Sequence, residues 1–144
     1  MPSFEFRPEY PIKLPPGQAH TVTIKDQIFK PENLKVTQGD SVEFCLLADS
    51  VSENDFSLYY EKSRSHVISF DEVGFESPLV RISNRGTADK TKTTFVIHFY
   101  QEGTFRFICR IYTWMKGSIQ VVPREDLTDE FESPPAVSRL QPQQ

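Results

Sequence analysis

The 144 residues carry 38% hydrophobic side chains, enough mass for one buried core. A net charge of -4 leaves no surplus of Lys and Arg, which excludes a nucleic-acid binder. No run is long and apolar enough to span a bilayer and the first residues lack a signal-peptide pattern, so the expectation is a soluble, intracellular, cytoplasmic protein without a membrane or nucleic-acid partner.

In chain order, residues 1–16 hold prolines at positions 2, 8, 11, 15 and 16 and read as an extended N-terminal arm, with Phe4, Phe6 and Tyr10 free to dock on a partner or to cover an edge strand of the same domain. His20 to Lys25 alternates as a first strand. Ile28 to Phe44 then gives a bend, a strand, a Gly39-Asp40 turn and another strand, with Phe29, Leu34, Val36, Val42 and Phe44 facing a core. Leu46 to Ser65 is a long irregular stretch, the kind of loop that usually carries function. His66 to Pro78 resumes a strand pattern through Phe70. A short strand follows from Leu79 to Ser83, then a polar loop from Arg85 to Thr93.

Thr94 to Tyr100 reads as a strand with Phe95, Ile97 and Phe99 inward and His98 outward. After a Glu102-Gly103 turn, Phe105, Phe107 and Cys109 alternate with Arg106, Ile108 and Arg110, so the thiol ends a buried aromatic stripe. A loop with Tyr112, Trp114 and Met115 leads through Lys116-Gly117 into the alternating strand Ser118 to Val122. The remainder is acidic and then Gln- and Pro-rich, without a core pattern. These shifts divide the chain into an arm (1–16), one domain (17–123) and a tail (124–144). Cys45 is out of phase with Val42 and Phe44 while Cys109 is in phase with its stripe, which predicts two unbridged thiols and fits a reducing compartment.

Strand, Cys109 to Met115 loop, strand resembles the ligand loop of the cupredoxins, the blue-copper family, in which Cys, His and Met follow one another and a first His comes from an earlier strand. The Phe29-x-Pro31 bend, Leu34-x-Val36, Gly39-Asp-x-Val-x-Phe44 and His66-x-Ile68-x-Phe70 resemble the family's other segments in order. The resemblance implies an all-β fold, a two-sheet Greek-key β-sandwich with irregular N- and C-terminal tails. It also implies His66, Cys109 and Met115 as metal ligands, and Tyr112 stands where the family has its second His.

That replacement disfavours a blue-copper centre. Two imidazoles and a thiolate in a plane are needed to serve both copper oxidation states, and a phenol is a hard donor with an ordinary pKa near 10. The expected function is therefore a non-enzymatic binding or structural module without a copper centre or other cofactor, acting through protein contacts within a larger assembly. Its expected contact residues are Tyr59, Tyr60, Lys62, Arg64, Arg110, Tyr112, Trp114 and Lys116, at the loop end of the sandwich. Aromatics and Arg are enriched at interfaces, and the basic members favour an acidic cytoskeletal or scaffold surface. The alternative is a copper-binding protein holding Cu(I) through His66, Cys109 and Met115, for copper handling or electron transfer. Catalysis by a Cys109/His66 pair is not expected, because a thiol at the end of an aromatic stripe lacks exposure and an anion site.

Overall fold

The computed structural model describes residues 2–47, 65–81 and 93–124. Two five-stranded sheets face each other. The first has the order β1 (Ser3–Phe6), β10 (Thr94–Phe99), β5 (Ser41–Leu46), β2 (Ala19–Lys25), β3 (Ile28–Lys30). The second has β4 (Asn33–Thr37), β12 (Lys116–Val122), β11 (Gly103–Cys109), β7 (Ile68–Phe70), β8 (Phe75–Glu76), and a separate short pair joins β6 (Ser65–His66) to β9 (Val80–Arg81). The expected all-β two-sheet sandwich is the architecture found.

Period-two alternation does the sorting. In β11, Phe105, Phe107 and Cys109 are buried while Thr104 and Arg106 are exposed, and in β10, Phe95, Ile97 and Phe99 are buried with His98 outside the core. Phe44 stacks on Phe95 with centroids 4.9 Å apart, and Phe70 meets Phe6 at 5.2 Å and Phe107 at 5.3 Å. Full burial of each such ring contributes about 1.5–3 kcal/mol, and each edge-on or offset ring pair about 0.5–1.5 kcal/mol more.

The N-terminal segment belongs to this core. β1 runs parallel to β10, with Ser3 opposite Val96 and Phe6 opposite Phe99. It covers the edge of β10, the second of the two roles foreseen for the arm, and Phe6 is buried against Phe70, Phe99 and Phe105. At the end of the sandwich away from Cys109, the buried carboxylate of Asp40 accepts hydrogen bonds from the Gln18 amide (2.8 Å) and the Thr37 amide (3.0 Å) and lies 2.9 Å from His20 Nε2. These contacts tie the start of β2 to the turn between β4 and β5.

Cys45 is half-buried, Cys109 is buried, and neither is in a disulfide. The long loop of residues 46–65 falls almost wholly outside the described residues, as do the tail beyond 124 and most of the polar loop at 85–93. Among the described residues, no helix is long and apolar enough to cross a membrane.

Candidate metal centre

Three backbone contacts build the site. Cys109, the last residue of β11, pairs with Ile68 of β7, and the next amide, of Arg110, donates to the Val67 carbonyl at 2.8 Å. The His66–Ile68 segment is thereby fastened to the end of the Cys109 strand. Across the mouth of the loop the Cys109 amide donates to the Met115 carbonyl at 3.0 Å, and within it the Met115 amide donates to the Tyr112 carbonyl at 2.9 Å. The loop is thus a closed turn with Cys109 and Met115 at its neck.

Ser77 holds the other side of the histidine segment. Its hydroxyl accepts from the Ile68 amide at 2.9 Å, and its own amide donates to the Ile68 carbonyl at 2.8 Å. Past the loop, Gly117 is opposite Phe107, and a Cβ there would stand 2.4 Å from the ring and 2.5 Å from the Glu32 carbonyl. Only glycine lets β12 pass this close.

The result is a buried meeting of donors. His66 and Cys109 are both 0% exposed, and Nδ1 of His66 lies 3.5 Å from Sγ of Cys109. Met115 is buried in the same cluster. Tyr112 is 6% exposed, its ring centroid 5.3 Å from that of His66 and 5.4 Å from that of Trp114. Among the described residues, no three His, Cys, Asp or Glu side chains gather into a metal-binding group.

The contact residues expected from the sequence fare differently. Tyr59, Tyr60, Lys62 and Arg64 lie outside the described residues. Tyr112 is buried and faces His66, so it offers no surface to a partner; the loop's turn points its ring inward. Arg110 is drawn onto its own protein, donating to Asp71 Oδ1 at 2.6 Å with Nε 3.4 Å from Glu76. Trp114, 65% exposed, remains on the surface with Lys116, and Ile111, which the sequence pattern did not single out, joins them at 44%.

A search of solved structures matches this chain to amicyanin, a cupredoxin. The fold is cupredoxin-like. A reduced amicyanin with a proline-to-phenylalanine substitution superposes with a TM-score of 0.52 at 18% identity, covering 72% of this chain and 81% of amicyanin. The Cu(I) form of a methionine-to-alanine variant gives 0.52 at 17%, covering 73% and 83%, and an oxidized proline-to-alanine variant gives 0.52 at 18%, covering 72% and 81%. At such identity the likeness is one of fold. No family model matches the sequence, and no curated protein matches it.

Proposed function

We propose that the chain is a non-enzymatic, cupredoxin-like Cu(I)-binding protein, with His66, Cys109 and Met115 as the ligands. The observation that carries this is the 3.5 Å separation of His66 Nδ1 and Cys109 Sγ inside a buried cluster. At this distance the thiol and the imidazole are hydrogen-bonded; zinc-type lengths of about 2.3 Å to sulfur and 2.0 Å to nitrogen at a tetrahedral angle also set the two atoms about 3.5 Å apart, so a small ion can replace the shared proton with little movement. Imidazole, thiolate and thioether all suit Cu(I). When bound, the ion would supply a soft centre for copper storage or transfer. The chain's own residues exclude water and orient the two ligands through the Arg110–Val67, Cys109–Met115 and Ser77–Ile68 contacts. A thiolate–Cu(I) site also suits the reducing cytoplasm.

The test is an anaerobic titration of the purified chain with Cu(I) against a colour-forming chelator. One Cu(I) per chain, lost in Cys109→Ser, is expected; no retained Cu(I) overturns the reading.

A second reading is favoured by a separate observation. Trp114 and Ile111 place an exposed apolar pair on the same loop, beside Lys116. This is the residue chemistry of a docking anchor for a protein partner, such as an acidic cytoskeletal or scaffold surface. The self-pairing of Arg110 leaves fewer cations for that attraction than the sequence alone suggested.

A further inference from the structure

We propose that Tyr112 makes the His66–Cys109–Met115 site selective for soft monovalent ions and closes it to divalent ones. The inference rests on the Cu(I) reading and adds to it which ions the site admits and why.

Placement comes first. Tyr112 is pinned by the Met115 amide on its carbonyl, buried, and wedged between the His66 imidazole and the Trp114 indole. The place beside His66 is therefore filled by a phenol ring, and its burial keeps out the water that often completes a coordination shell.

Coordination number follows. Zn(II) takes four ligands, and Cu(II) prefers tetragonal nitrogen and oxygen donors. This site offers one nitrogen and two sulfurs, a set suited to Cu(I) or Ag(I).

Charge completes the argument. A thiolate with a monovalent ion is neutral, whereas a divalent ion leaves one positive charge in a buried cluster; that cost comes from burial, and the part of Tyr112 is to withhold the further donor a divalent ion needs to offset it. Asp71 and Glu76, the carboxylates that meet the loop through Arg110, are about half exposed and engaged with that guanidinium. Among the described residues, no acidic group joins His66 and Cys109 as a third ligand.

The experiment uses the full chain in a Cys45→Ser background, so that Cys109 is the one thiol, under anaerobic reducing conditions for Cu(I) and without thiols for the other ions. Cu(I), Ag(I), Zn(II) and Cu(II) are each added while the melting temperature is followed, with Cu(I) affinity measured by chelator competition. Cu(I) and Ag(I) are expected to raise the melting temperature, and Zn(II) and Cu(II) to leave it unchanged. Met115→Leu should weaken Cu(I) by more than the roughly 10- to 100-fold that loss of an outer-sphere partner costs.

Tyr112→Phe should keep the selectivity, since the ring and not the hydroxyl fills the place. Tyr112→His should gain Cu(II) binding and an intense visible thiolate-to-copper band. If the parent chain binds no Cu(I), the proposed function itself falls and this inference with it. If it binds Cu(I) but Zn(II) or Cu(II) equally well, the proposed function stands and the selectivity is overturned. A folded Tyr112→His chain that gains no Cu(II) removes Tyr112 as the cause; if that variant does not fold, Tyr112→Ala decides, since opening the place to water should let Zn(II) or Cu(II) raise the melting temperature, and no such gain likewise removes Tyr112 as the cause.

Discussion

Gly117 and Phe107 touch so closely that the glycine's missing side chain is part of the packing: the aromatic ring occupies the space where a Cβ would sit. The same ring lies 4.8 Å from Phe29 and 5.3 Å from Phe44, so it cannot retreat without disturbing both sheets. Gly117→Ala is expected to cost roughly 1–3 kcal/mol, the range for overpacking a dense core. Urea denaturation would show it as a lowered midpoint. An unchanged midpoint would mean that the Glu32 and Phe107 contacts relax freely.

Phe6→Ala should destabilise the fold by about 3–5 kcal/mol, as removal of a buried aromatic ring does. Phe4, only partly buried, should cost less on the same substitution. Equal effects of the two substitutions, or none, would show that β1 does not hold in solution the place it has against β10.

Replacing Asp40 with Ala strands the Gln18 and Thr37 amides that its carboxylate serves, at about 1–3 kcal/mol for unsatisfied buried groups. Because the Asp40 turn lies at the opposite end of the sandwich from Cys109, Cu(I) affinity should not change. A stability loss accompanied by weakened metal binding would show coupling between the two ends.

Trp114→Ala should leave the melting temperature nearly as it was, since the indole is mostly in water. Arg110→Ala should cost no more than about 1 kcal/mol, because its ion pairs with Asp71 and Glu76 are exposed. If the docking reading holds, the double variant loses its partners in a pull-down while remaining folded. Recovery of every partner by the double variant would count against that reading.

Much of this molecule is legible in its sequence. Alternation records burial directly, so Phe95, Ile97, Phe99, Phe105, Phe107 and Cys109 point inward as their phase requires. The convergence of His66 and Cys109 was legible only through the resemblance to cupredoxins, because residues 43 positions apart meet through sheet pairing that no local pattern encodes.

The misses have physical reasons. Tyr112 sits in a loop without periodicity, where nothing local says which way a ring will turn. The ion pairs of Arg110 depend on Asp71 and Glu76, brought to it by the pairing of β7 with β11 and β8. The four residues of β1 were too few, and too near prolines, to show a strand pattern; a neighbouring β10 edge supplied what the segment lacked.

The pairing of β1 with β10 also sets an order on assembly. During synthesis β1 leaves the ribosome well before the strand it will lie against, since Ser3 waits for Val96 and Phe6 for Phe99. Contacts this distant along the chain are slow to form and charge their loop-closure entropy before any stabilisation is returned. Until β10 emerges, Phe4 and Phe6 are apolar side chains on an unpaired nascent segment, the kind of transiently exposed surface that makes incomplete chains prone to aggregate.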